Sequence, residues 1–149
     1  MKKFILLTSV TAFGIMLFLG GYFVGINSPN EASREIRFGH QNSEHPNRVD
    51  DRYVFTDVEN QTIIDTVMMI YVHKKPIENA NVNEENPDLY MSVMSPRKSV
   101  GLIDARIWFT SDGAIIGERN GESWSEVEYY EMDESEAAYI KGIVEYGVE

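Results

Sequence analysis

Residues 103–132 read as three strands joined by two tight turns, and the first of them alternates apolar and polar residues with a period of two. Ile103, Ala105, Ile107 and Phe109 fall on one side; Asp104, Arg106, Trp108 and Thr110 fall on the other. This is the pattern of a half-buried strand. Asp112-Gly113 separates it from Ala114 to Arg119, and Asn120-Gly121 separates that run from Trp124 to Met132. Both dipeptides tolerate the positive φ that tight hairpin turns require. The spacing predicts a three-stranded antiparallel meander with one apolar face, which has to be covered.

Two helical patterns supply the cover. Ile63, Ile64, Val67, Met68, Ile70 and Tyr71 recur at helical spacing. Thr56-Asp57-Val58-Glu59 before them matches a capping box, so the pattern predicts a helix over 57–73 that ends at Lys74-Lys75-Pro76. Ala137, Ile140, Ile143 and Val144 repeat the period after Asp133, with Glu136 three residues beyond it. Gly147 suits the end of that helix. Tyr53-Val54-Phe55 and residues 89–94 add one or two strands. The expected fold over 53–149 is therefore α+β: a small antiparallel sheet, the meander plus one or two further strands, covered on one face by two helices.

Residues 4–26 carry no charge and are mostly apolar, with Lys2 and Lys3 before them. As a helix this run spans about 34 Å, enough for the ~30 Å hydrocarbon core of a bilayer. The alternative is a cleaved signal peptide, which would make the protein secreted. A signal core is shorter and ends in small residues, whereas this run leaves through Gly25-Ile26-Asn27-Ser28-Pro29-Asn30. The expectation is a single-pass anchor over 1–26 that meets the lipid bilayer through 4–26. The lysines put its N-terminus in the cytoplasm and the rest of the chain outside. A lipid anchor on cysteine is excluded, because the chain has no Cys.

All 24 acidic residues lie beyond that run, against 11 basic ones once Lys2 and Lys3 are set aside, a net charge of −13. Nucleic acid and anionic head groups want cationic patches, so no nucleic-acid partner is expected. Residues 27–52 are rich in Asn, Ser, Glu, Arg and His and poor in apolar residues, which predicts a polar flexible linker. His40, Glu44 and His45 within it do not match the spacing of a closed metal site.

No nucleophile elbow, P-loop, zinc-helix or dinucleotide motif is present. Neither an enzyme nor a cofactor is expected. The alternative is an envelope hydrolase that uses acidic residues in a cleft walled by loops 78–87 and 95–101. The sharper candidate is the open face of the sheet. Arg106 and Trp108 point away from the expected helices, and Tyr90, Trp124, Tyr130 and Arg119 are expected beside them. Aromatic residues interleaved with arginine suit an interaction patch. Trp108 is its expected anchor, and an envelope protein its expected partner.

The order of parts resembles the YhfM-like stress-response proteins of Gram-positive bacteria. The resemblance rests on the lysine-flanked span, the helix at 57–73, Pro87-Asp88-Leu89-Tyr90, Ala105-Arg106-Ile107-Trp108-Phe109 and Tyr129-Tyr130-Glu131-Met132-Asp133. It implies a membrane-tethered envelope protein with a role in stress response, and it carries over no catalytic residues.

Overall fold

A computed structural model describes residues 11, 13–23, 31–121 and 123–147. The chain divides into two units, residues 1–31 and 32–149. In the first, residues 13–23 form a helix, α1, with Phe13, Met16, Leu17, Phe18, Tyr22 and Phe23 exposed. Among the described residues no helix is long and apolar enough to cross a membrane. Much of the expected span (4–10, 12 and 24–26) lies outside the described residues.

The second unit is α+β. Its strands are β1 (Glu35–Gln41), β2 (Val49–Thr56), β3 (Lys75–Ile77), β4 (Leu89–Ser95), β5 (Val100–Phe109), β6 (Gly113–Arg119) and β7 (Val127–Asp133). Its helices are α2 (Gln61–His73) and α3 (Glu134–Ile143). The strands form one seven-stranded sheet in the order β2-β1-β4-β5-β6-β7-β3, every neighbouring pair antiparallel. The expected meander is β5-β6-β7. Gly113 and Gly121 take φ of +151° and +106° in its two turns.

The linker expected over 27–52 gives way to β1, a turn and the start of β2. Ile36 and Phe38 of β1 are fully buried in the core. They pair with Val93 and Met91 of β4 on one side and with Phe55 and Tyr53 of β2 on the other. The folded unit therefore begins near Ala32 rather than Tyr53. Ser33 pins this start: its backbone N–H donates to Asp57 Oδ1 at 2.9 Å, and its hydroxyl donates to Asp57 Oδ2. β2 is mostly exposed because it is an edge strand, and Asp50, Asp51 and Arg52 discourage pairing with another chain.

α2 starts at Gln61, four residues later than the capping pattern predicts. The Thr56 hydroxyl does accept from Glu59 N, at 3.2 Å, but that bond closes the turn before the helix. α3 starts as expected. Asp133 accepts from Glu136 N at 2.9 Å, and Glu136 accepts from Asp133 N at 3.1 Å, a complete capping box.

The path of the chain explains what covers each face. β2 and β3 are opposite edges of the sheet, so the segment bearing α2 spans its full width. Ile64, Val67 and Ile70 of α2 join Ala137 and Ile140 of α3 against Ile36, Phe38, Leu89, Met91, Ala105, Ile107, Ala114 and Ile116. From β3 the chain must return to β4 in the middle, and residues 78–88 do so over the opposite face. That return builds the candidate site.

Candidate functional site

Five strands contribute one transverse row of residues to the face opposite the helices. Gly39, Tyr90, Arg106, Gly117 and Tyr129 are successive register partners across β1, β4, β5, β6 and β7. Gly117 leaves room in this row: a Cβ there would stand 3.0 Å from the Trp108 ring and 3.0 Å from Val127.

The returning loop seals part of this face. Trp108 Nε1 donates to the Asn83 carbonyl oxygen at 2.8 Å, and Tyr129 OH donates to Glu84 Oε1 at 2.8 Å. The Trp108 and Tyr129 rings pack with centroids 6.2 Å apart. Trp108 keeps only 6% of its surface exposed. It is on the expected face, but it is buried beneath the loop and does not serve as an exposed anchor. Burial pushes the Tyr129 hydroxyl up to about 12, and the Glu84 carboxylate beside it adds to the rise.

Beyond the loop the face opens into a cleft of about 780 Å³. Its floor is Tyr90, Asp104 and Arg106. Gln41, Pro46, Asn47 and Val49 of the β1–β2 hairpin form one wall, Glu84 and Glu85 form the other, and Trp124 adds an aromatic face. The guanidinium of Arg106 lies 3.8 Å from the Trp124 ring centroid and 5.7 Å from that of Tyr90. Its Nη1 donates to the Glu84 carbonyl oxygen at 2.9 Å. Its Nε is sealed from solvent and has no acceptor. Buried donors are rarely left this way.

Of the expected patch, the cleft brings together Arg106, Tyr90 and Trp124. Arg119 is on the same face, with Nη2 3.1 Å from Asp104 Oδ2. Tyr130 is not. It pairs with Ile116, whose partner is Ile107, so it belongs to the helix-covered face. There Lys74 Nζ sits 3.4 Å from the Tyr71 ring centroid, 4.2 Å from that of Tyr130 and 2.9 Å from Glu118 Oε2. Burial and the Glu118 carboxylate raise the Tyr71 hydroxyl. Tyr130 is pushed up to about 12, chiefly by its bond to Glu128.

The cleft also differs from the walls expected for a hydrolase. Loop 95–101 is absent from its lining among the described residues, and the β1–β2 hairpin takes that place. Three carboxylates do line it among the described residues. That of Glu84 holds the Tyr129 hydroxyl, and that of Asp104 pairs with Arg119. Sequence reasoning missed Gln41, Pro46, Asn47 and Val49, which fell in the expected linker. The alternation Glu35-Ile36-Arg37-Phe38 was the available signal for the strand beside them. No grouping of residues able to hold a metal ion occurs among the described residues, and His40 Nδ1 instead lies 3.0 Å from the Asp88 carbonyl oxygen.

The chain matches no family model, no curated protein and no solved structure.

Proposed function

We propose that this protein is a non-enzymatic binding domain of a bacterial envelope, tethered to the cytoplasmic membrane through residues 4–26 and held outside it. In this reading the Arg106 cleft takes a segment of another envelope protein. Tethering is supported by the uncharged N-terminal run and the lysines before it; a stress-related role is supported by the resemblance to YhfM-like proteins alone. Confinement at a membrane raises effective concentration, so a shallow site suffices.

The observation that carries the binding role is Arg106. An arginine with the Trp124 and Tyr90 ring centroids 3.8 Å and 5.7 Å from its guanidinium, and with a buried Nε lacking an acceptor, holds a donor that a ligand can satisfy. Placing a photo-crosslinking residue at Asn47 of the full-length membrane-bound protein tests it. A discrete protein adduct is expected at Asn47, none at Asp65 on α2, and loss of the adduct in Arg106→Leu. An adduct that survives Arg106→Leu would remove the cleft from the reading. Protection of residues beyond 31 from protease added to spheroplasts would remove the outward topology.

A hydrolase is the second reading, favoured by the three carboxylates in one cleft. It requires two acids in unlike environments. Loss of a measured hydrolytic activity in Glu85→Gln, with the Asn47 adduct retained, would favour it.

A further inference from the structure

We propose that the occupant of the Arg106 cleft is an extended cationic peptide segment, and that the side chains around the guanidinium, Trp124 among them, shift to admit it. The proposal rests on the cleft being the binding site, and it adds the chemistry of the ligand.

Charge decides the class. Among the described residues Glu84, Glu85 and Asp104 line the cleft against Arg106, and the acidic surplus persists when Arg119, which pairs with Asp104, is counted. The chain beyond the apolar run carries a net charge of −13. A phosphate or an acidic peptide meets that field unfavourably, whereas lysine or arginine side chains are drawn to Glu84 and Glu85. The Arg106 charge opposes them, but it is outnumbered by the lining carboxylates, and the Glu84 carbonyl oxygen already takes its Nη1.

Shape and hydrogen bonding agree with a peptide. Two walls, the β1–β2 hairpin and residues 84–85, flank a floor of strand residues, which suits a chain lying between them. A peptide supplies cationic side chains for the rim and a backbone carbonyl for Arg106 Nε, a buried donor left unpaired among the described residues. Nε is sealed from solvent, so a carbonyl reaches it only if the side chains around it shift, and Trp124, its ring centroid 3.8 Å from the guanidinium, is one of those side chains. Binding is then reported by Trp124 itself.

The chain has two tryptophans, so Trp108→Phe leaves Trp124 as the sole emitter. This full-length variant, in neutral detergent micelles, is titrated with three probes: a lysine-serine-glycine octapeptide, its glutamate counterpart and a tetramer of N-acetylglucosamine. The lysine peptide is expected to change Trp124 emission saturably. Its affinity is expected to fall about tenfold between low and high salt, because exposed charges are screened. It is expected to fall by a similar factor in Glu84→Gln/Glu85→Gln, and the saturable change is expected to vanish in Arg106→Leu. Saturable binding of the glutamate peptide or the glycan in place of the lysine peptide, if lost in Arg106→Leu, overturns the cationic class and leaves the cleft as the site. Unchanged lysine-peptide affinity in the double glutamine variant overturns the charge argument. Absence of any saturable change, together with no Asn47 adduct, removes both the inference and the cleft.

Discussion

The indole N–H of Trp108 donates to the backbone carbonyl oxygen of Asn83, 25 residues away in sequence, at 2.8 Å. That bond ties the loop returning from β3 to the centre of the sheet. It makes Trp108 a core residue of a second, smaller layer. Trp108→Ala therefore removes a large buried ring and leaves the Asn83 oxygen without its partner, a loss of about 3–5 kcal/mol. Trp108→Phe keeps most of the packing and costs about 1 kcal/mol for the hydrogen bond. Phe109 is half-buried, against Tyr146 at 4.6 Å between ring centroids. Phe109→Ala is expected to cost no more than Trp108→Ala. Chemical denaturation of the three variants checks the order, and a Trp108→Ala protein as stable as the parent would refute it.

Cutting the chain at Tyr53 is expected to prevent folding. It removes β1, which separates β2 from β4, and with it the fully buried Ile36 and Phe38. A fragment beginning at Ala32 keeps the whole sheet and the Ser33–Asp57 contact, and is expected to unfold in one cooperative transition. Circular dichroism of the two fragments distinguishes them. A cooperative 53–149 fragment would mean that the first two strands are accessory.

The meander was legible because its turns are written in dipeptides and its first strand alternates cleanly. The α3 cap was legible because Asp133 and Glu136 carry it locally. β1 and β2 were not, because an edge strand and its neighbour at the sheet margin need charges on their outward faces. Arg37, Asp50, Asp51 and Arg52 therefore read as linker composition. Alternation put Trp108 on the correct face, yet nothing near it in sequence signals that residues 78–88 return across that face. Tyr130 was misplaced because the residues between Arg119 and Val127 leave the β6–β7 register open. Once Ile116 pairs with Tyr130, parity sends Tyr129 to the open face.

Stability is expected to fall at both extremes of pH. Asp57 is held below the usual carboxylate range first by the Ser33 hydroxyl, and Asp133 by the Glu136 backbone N–H. A depressed folded value means their contribution is present above the unfolded value of about 3.9 and lost as pH falls through the folded one. Tyr129, Tyr130 and Tyr146 are pushed up to about 12, by burial first for Tyr129 and Tyr146 and by the Glu128 bond for Tyr130. For these the sign reverses. Their contribution is complete below the unfolded value of about 10 and is lost as pH rises toward 12. Thermal midpoints across pH, beside ultraviolet absorbance of tyrosinate, check this. All eight tyrosines ionising together near their ordinary value in the folded protein would contradict it.

The division of the sheet face into a sealed part at Trp108 and an open cleft at Arg106 is tested most directly by acrylamide quenching of two single-tryptophan proteins. Trp124→Phe leaves Trp108, buried under Asn83; Trp108→Phe leaves Trp124, half-buried at the cleft. Trp108 is expected to emit at shorter wavelength and to resist quenching, while Trp124 is quenched several-fold more readily. Equal quenching of the two would show that residues 78–88 do not close over Trp108, and would return the whole face to solvent.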